Sequence, residues 1–491
     1  MAAIGEGDGA TGGERARWIH GRCMLATMRR VAPLFVAVVA ACGDANPPSV
    51  RPPPDLDAVM PEFHASATAM SDLLGLAYQL PAGADPASQA IRAFTLPAVQ
   101  TAGIRHARAD LLWNEVEPTP GVRDFTAYRT KVDAFATAGV VTLPILCYGN
   151  PWANATPNGA MTPPDSPADF AAFAGAAATS FRGSVPAYEV WNEENLGFRF
   201  WQPREDPAAY GALLTATSAA IRAADPAAKV VFGGVLYHGL LTDAEPFLEQ
   251  VYTQAPNIGA AYDVLGVHTY PDYPPAVEPE LDDDPSGEVA QPRMIARLRA
   301  LLAYYGDDPA RPIWVTEVGW PVFRTVDEEL QARWLVRTSL LLAGAGVERV
   351  YLYTLFDGPN PTSYPPEDAF GLFQYADPSV AGFAPTPKLG WTALSTLLSV
   401  AGSLAVTSDV TAALVGGPPA ARGYQLTDPT GTSPRRVTVV WSTDDTAAPA
   451  TVTVPVTAGA TLHVVDMLGA PLAASATVPV SGRPVYVIED L

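Results

Sequence analysis

Cysteine and charge are both scarce in this chain. Three cysteines in 491 residues cannot make a disulfide framework, and Cys23, Cys42 and Cys147 lie far apart. Only 16% of residues are charged, against about 25% in an average soluble domain, which excludes a coiled coil. Positive charge is the scarcer sign: 30 Lys plus Arg stand against 51 Asp plus Glu, a net charge of −21. Phosphate backbones are held by clustered Lys and Arg, so nucleic acid is excluded as a partner. Metal-ligand spacings are missing too. There is no H-E-x-x-H pair and no Cys cluster, and neither a catalytic metal nor a cofactor is expected.

Apolar residues, by contrast, make up 48% of the chain, with 49 Pro and 40 Gly. That is ample for large buried cores and excludes disorder throughout. The length fits two or three domains of about 150 residues, or one α/β barrel of about 250 or more with an appendage.

The amino terminus reads as targeting. Arg29-Arg30 precede the apolar run Val31–Ala41, which ends at Cys42. A basic start and about 7–15 apolar residues make a secretory signal, too short to span a bilayer. Val39-Ala40-Ala41-Cys42 resembles the bacterial lipobox, in which the cysteine is lipidated. The simpler alternative is a secreted signal with a chance cysteine. Residues 1–42 are therefore expected to be a leader, with 1–27 an extension or an upstream start. Residues 43–70, rich in Pro at first and without periodicity, are expected to tether the body to a membrane surface. Cys147, among strand-like neighbours, is expected to be a buried apolar side chain.

From residue 71 to about 402, short apolar runs alternate with amphipathic stretches, the signature of βα units on a parallel sheet. Eight strands are expected: Leu74–Leu80, Ile104–Leu112, Val140–Tyr148, Ala187–Asn192, Lys229–Val235, Val264–Thr269, Ile313–Glu317 and Arg349–Phe356. Helices are expected at Asp85–Thr101, Pro167–Phe181, Pro207–Ala223 and Asp327–Ala343. A doubly wound sheet is the competing fold, but no G-x-G-x-x-G follows the first strand. The expectation is a (β/α)₈ TIM barrel. In residues 403–491, short runs recur between Gly, Pro and Asp-rich turns, which predicts a small β-sandwich that serves packing and carries no chemistry.

Barrel chemistry collects at the carboxyl ends of strands. The fourth strand ends Trp191-Asn192-Glu193-Glu194-Asn195 and the seventh Thr316-Glu317-Val318-Gly319-Trp320. A carboxylate at the top of an apolar strand is costly unless something there uses or compensates it. Two of them, three strands apart on a small barrel, converge on one cleft. Glycoside hydrolysis needs such a pair: one acid to protonate the departing oxygen, and one carboxylate as nucleophile or as base toward water.

With Trp191-Asn192-Glu193 after the fourth strand and Thr316-Glu317 at the seventh, the body resembles the clan A glycoside hydrolases. It looks closest to family 39 and its neighbours, which commonly follow the barrel with a β-sandwich. The resemblance covers about 330 residues. It implies a retaining enzyme with Glu193 as acid/base and Glu317 as nucleophile. Asn192 would then hydrogen-bond the sugar 2-hydroxyl. Glu194 stands where related proteins often have Pro, and it competes with Glu193 for the acid/base role.

The second strand supplies Arg108-Ala109-Asp110-Leu111-Leu112-Trp113, then Glu117-Pro118, a run that also resembles the clan. Arg108 would sit beside Glu317 and favour its ionised form. The alternatives are an ion pair with Asp110 or another framework acid, or Arg105 in its place. Trp113 is either a loop anchor or a sugar platform. His268 and Tyr270 on the sixth strand share a face; a Tyr here commonly holds the nucleophile in the clan, while His268 is either structural or a substrate contact. Tyr148, Trp152, Trp320 and Phe356, at or beyond strand ends, would line sugar subsites or simply pack. The acidic run Glu278–Glu288 does not match an EF-hand and reads as a solvated loop.

The expected function is therefore a retaining β-glycosidase acting on an extracellular or envelope carbohydrate, exported and lipid-anchored through Cys42, or otherwise secreted. Carboxyl groups about 5–5.5 Å apart would indicate retention, and a gap beyond about 6.5 Å inversion. The competing function is a surface lipoprotein that binds polysaccharide without cutting it. An aldolase or phosphate-using barrel would want a strand-end Lys or a Gly-rich loop after the seventh or eighth strand, and neither occurs.

Overall fold

Eight parallel strands close into a barrel in sequence order, each followed by helix. They are β1 (Leu74–Ala77), β2 (His106–Leu112), β3 (Val141–Cys147), β4 (Ala187–Asn192), β5 (Lys229–Tyr237), β6 (Val264–Thr269), β7 (Ile313–Val318) and β8 (Arg349–Tyr353). They form in a computed structural model that describes residues 53–156, 160–237, 244–270, 290–364, 366–446, 448 and 450–491. The leader, Cys42, residues 43–52 and the acidic run 278–288 lie outside the described residues.

The strands read as continuous apolar runs because a parallel sheet is covered on both faces. β4 and β6 are buried at every position. Local signals set the helices. Asp85, Asp206 and Asp327 cap the helices Pro86–Ala102, Pro207–Ala224 and Glu328–Gly344 by accepting from Ser88, Ala209 and Leu330 backbone N–H groups. Pro86 and Pro207 open the first two at positions with no hydrogen bond to lose. Helix Pro86–Ala102 ends at Gly103, whose φ of 80° is left-handed.

Inside the barrel, Ala77, Leu143, Ala187, Val231, Val264, Trp314 and Tyr351 form an apolar floor. Polar side chains stand above this floor at the carboxyl ends of the strands. Cys147 is fully buried at the end of β3, as its apolar neighbours imply.

Beyond the barrel, a six-stranded antiparallel sheet runs Pro471–Leu472, Thr461–Asp466, Val485–Asp490, Arg436–Ser442, Ala421–Thr427 and Ala405–Asp409 in spatial order. A three-stranded sheet of Val415–Gly416, Ala450–Thr453 and Thr477–Val480 accompanies it. The buried core between them is Val-rich, including Val440, Val452, Val478 and Val487. Helix Glu328–Gly344 locks barrel to sandwich. Its Arg337, fully buried, donates to Asp445 at 2.8 and 2.9 Å and to the carbonyls of Ser442 and Gly482.

The stretch up to residue 70 differs from the tether expected of it. His64 N–H donates to Gly344 O, Ser66 to Val406 O and Met70 to Leu404 O, and Phe63 packs edge-on against Tyr424 at 5.5 Å. A segment without periodicity is folded here because it borrows partners from the seam between barrel and sandwich. Among the described residues, no helix is long and apolar enough to cross a membrane.

Candidate active site

Arg108 is the hub of the site. It projects from β2 above the apolar floor and is 3% exposed. Its Nε and Nη2 donate to the two oxygens of Glu189 on β4, at 2.6 and 3.1 Å. Nη1 donates to Glu317 Oε2 at 2.9 Å, and Nη2 also reaches Asn192 Oδ1 at 2.8 Å and His268 Nε2 at 3.2 Å. A buried guanidinium is tolerated only when matched by charge, and its planar fork suits two carboxylates at once.

These contacts fix protonation and orientation. A guanidinium can only donate, so His268 Nε2 must accept and the ring proton sits on Nδ1. That proton is donated to Glu193 Oε1, 2.8 Å away. Burial lowers the His268 pKa to about 4, so the ring is neutral at pH 7. Likewise Asn192 lines the cavity and accepts through Oδ1, and its amide N–H groups, which can only donate, have no partner among the described residues. Tyr270 donates to Glu317 Oε1 at 2.6 Å.

The two strand-end carboxyls therefore differ. Both oxygens of Glu317 receive a donor, one from Arg108 and one from Tyr270. Burial outweighs the opposing pull of Arg108 and the Tyr270 hydrogen bond, so its pKa stays raised. Among the described residues Glu193 receives only the His268 proton, and burial raises its pKa to about 7, against the opposing pull of Arg199 and Arg108. One side-chain atom each from Glu193, His268 and Glu317 all lie within 4.8 Å of one another. That triad has donors a cation would accept, but Arg108 already places a fixed positive charge against Glu317 and within reach of His268. The pattern is that of a proton and charge network.

A cavity of about 420 Å³ opens over these groups, lined among others by Arg108, Asn192, Glu193, Tyr270 and Glu317. This lies within the range of about 300–1,000 Å³ usual for small-molecule sites.

Neither a protein-family model nor a curated protein sequence matches the chain. Solved structures do. A family 39 glycoside hydrolase from the gut symbiont Bacteroides cellulosilyticus WH2 aligns over 88% of this chain and 83% of its own, at 21% identity and TM-score 0.62. A family 39 β-xylosidase from Caulobacter crescentus aligns over 88% and 99%, at 18% identity and TM-score 0.61. A family 39 enzyme from Xanthomonas axonopodis pv. citri aligns over 88% and 97%, at 18% identity and TM-score 0.60. In fold, the chain is similar to family 39 glycoside hydrolases.

Within that fold the expected residues separate into two groups. Glu193, Glu317, Asn192, Arg108, His268 and Tyr270 meet in one network, and Tyr148 lines the cavity, stacked on Phe200 at 5.7 Å. Arg105 does not compete with Arg108: it is exposed and paired with Asp72. Trp113 is an anchor, not a platform. The chain turns into a short helix at Trp113–Val116, folding the fully buried indole outward to donate to Glu117 and pack on Trp152, Phe170 and Phe173. Trp320 is also absent from the cavity wall; it is 4% exposed and packs beside Trp334. Trp152 donates to Glu117 O, and Phe356 packs with Tyr78, Phe94 and Phe373; neither lines the cavity. Glu194 turns away from the cavity as well. It is fully buried against Gly233, where an added Cβ would come within 2.3 Å of its Oε2.

Four further residues were not singled out by sequence reasoning. Glu189 matches Arg108, and its only signal is a charge inside the otherwise apolar stretch of β4. Gly234 gives His268 its space: an added Cβ would lie 2.1 Å from Nε2, and the Gly-Gly pair inside β5 is a sequence sign of such close approach. Arg199 and Glu367, paired at 2.9 Å, tie the loop after β4 to the segment after β8 along the cavity wall.

Proposed function

We propose that this protein is a retaining β-glycoside hydrolase that works by double displacement. The observation that carries this reading is the facing pair of unequal carboxyls, Glu193 and Glu317, with one oxygen of each within 4.8 Å. Retaining pairs stand about 5–5.5 Å apart, whereas inverting pairs need about 6.5–9.5 Å to admit a water.

In the first step Glu317 attacks the anomeric carbon. Arg108 and Tyr270 hold its two oxygens in place, and each oxygen keeps a lone pair. Glu193, protonated on Oε2 while Oε1 accepts from His268, gives that proton to the leaving oxygen. Esterification then removes the Glu317 charge that favoured the protonated form of Glu193. Glu193 can now take a proton from water, which attacks the glycosyl-enzyme and releases Glu317 with net retention. Asn192 is oriented by Arg108 to donate to the 2-hydroxyl beside the reacting carbon.

The substrate side of this proposal is a β-linked oligo- or polysaccharide outside the cytoplasm. The basic and apolar leader ending at Cys42 supports export with a lipid anchor. The test is incubation of the chain from Pro53 onward with a panel of β-linked glycans, beside Glu317→Gln. New reducing ends from the parent alone are expected. Glycan binding without cleavage by either protein would refute the reading and leave a polysaccharide-binding lipoprotein.

A further inference from the structure

One charged group in the cavity takes no part in the chemistry above. Asp110 lies on β2 two residues beyond Arg108, so the two side chains share the inner face of the barrel, and both line the cavity. The backbone of Asp110 belongs to the β2–β3 ladder, but among the described residues its carboxylate makes no hydrogen bond and no ion pair. Arg108 is committed instead to Glu189 and Glu317. Gln79 stands beside Asp110 on the same wall: two residues before it, Ala77 pairs with Arg108, and Gln79 too lines the cavity with no hydrogen-bond partner among the described residues.

The position of this wall matters. Glu193 protonates the leaving oxygen, so the departing part of the substrate lies on its side, toward β4 and β5, with Arg199 and Leu236. The β1–β2 wall faces the sugar that stays on Glu317.

The charge count matters as well. Two guanidinium groups, Arg108 and Arg199, line the cavity against four carboxyls, Asp110, Glu193, Glu317 and Glu367. Arg108 serves two carboxylates, and Arg199 is paired with Glu367. The segments 157–159, 238–243 and 271–289, outside the described residues, contain no Lys or Arg in sequence. A net charge of −21 makes the molecule as a whole repel polyanions.

We infer that Asp110, with Gln79 beside it, reads hydroxyl groups on the retained sugar, and that this cavity selects a neutral sugar and rejects a uronic acid. This deepens the glycosidase reading and rests on it. A carboxylate accepts two donors from neighbouring hydroxyls of one ring, which an uncharged wall would not offer. The same carboxylate, with every lining cation already committed, leaves a sugar acid with repulsion and no counter-charge.

The test compares 4-nitrophenyl β-D-xyloside, β-D-glucoside and β-D-glucuronide, plus β-linked oligosaccharides, with the parent, Asp110→Asn, Asp110→Ala and Glu317→Gln. The glucoside and glucuronide differ only at the carbon that carries the carboxylate. Expected for the parent is turnover of a neutral glycoside at least about 100-fold faster than the glucuronide. Asp110→Asn, which keeps the shape, should raise KM for the neutral glycoside about tenfold or more and narrow the neutral-to-glucuronide ratio about tenfold. Asp110→Ala should do both to a greater extent. A purely structural role for Asp110 would lower melting temperature without moving that ratio. The inference is overturned if the parent cleaves the glucuronide as well as the glucoside, or if both Asp110 variants keep the parent's ratio and KM. Glu317-dependent cleavage with an unmoved ratio sinks the Asp110 assignment alone. No cleavage of any substrate by the parent sinks the glycosidase reading, and this inference with it.

Discussion

Replacing Glu193 by Gln isolates a cavity carboxyl whose ionisation is strongly constrained by its surroundings. Burial lifts its pKa from 4.5 to about 7. The gap, 7 − 4.5, corresponds to about 3 kcal/mol against the carboxylate at about 1.4 kcal/mol per pH unit. As a proton donor Glu193 is competent below that value, so kcat/KM should fall tenfold per pH unit above about 7. Glu317 titrates in the same space, and the observed limb belongs to the pair. The assay is kcat/KM across about pH 4 to 9 on two aryl glycosides of the same sugar, a 2,4-dinitrophenyl and a phenyl one. The first leaving group needs almost no proton, and the second needs one. Glu193→Gln should cost about 10²- to 10⁴-fold on the phenyl glycoside, less than about tenfold on the dinitrophenyl one, and abolish the alkaline limb.

The same shift has a stability consequence of defined sign. A folded pKa above the unfolded one means the native state holds the proton more tightly, so this stabilisation is present below about pH 4.5 and lost as pH rises through about 7. Glu193→Gln should therefore gain on the parent in melting temperature above pH 7, by up to about 3 kcal/mol of stability. A variant that keeps the alkaline limb, or loses equally on both glycosides, would refute the assignment of Glu193 as acid.

Tyr270→Phe removes one of the donors on Glu317. A hydrogen bond to a charged acceptor is worth about 1.5–3 kcal/mol, so kcat/KM should drop about 10- to 150-fold, with the acid limb moved to higher pH; an unmoved limb would count against it. Glu194→Gln should leave activity nearly intact, because Glu194 faces away from the cavity. Burial raises its pKa well above the usual carboxylate range, so the parent loses stability as pH rises above the unfolded value of about 4.5, where only the unfolded chain releases that proton, and the Gln variant should show a flatter melting profile as pH rises from there. Asp445→Ala strips the ion-pair partner from the fully buried Arg337 and should cost about 3–5 kcal/mol in denaturant unfolding, with little change in KM.

The barrel was legible in the sequence because parallel strands buried on both faces must be apolar throughout, and the polar ends that punctuate them are where the chemistry sits. Glu193 and Glu317 stood out for that reason. Glu189 did not, since nothing local tells a working carboxylate from one that matches a guanidinium two strands away. Trp113 and Trp320 show the opposite failure. An aromatic at a strand end faces the cavity or the helical shell according to how the chain turns next, and the short helix at Trp113–Val116 turns it outward. The segment up to residue 70 had no period to read, because its partners are backbone groups at Gly344, Leu404 and Val406.

Asn192 and Glu193 make the same point about alternation. Glu189 faces inward to Arg108, so strict period two would send Trp191 inward and Asn192 outward. The chain does the reverse. Trp191 and Glu193 adopt left-handed φ values of 75° and 48°, which costs non-glycine residues of order 1–3 kcal/mol each. Trp191 offsets this by packing its fully buried indole between Phe170, Trp201 and Tyr148 and donating to Phe200 O at 2.8 Å. With Trp191 pulled into the shell, the next two side chains both enter the cavity. The aromatic cluster outside β4 is thus what lets a strand deliver two neighbouring polar residues to one face, and the strain at Trp191 and Glu193 is the local cost of placing both of them in the site.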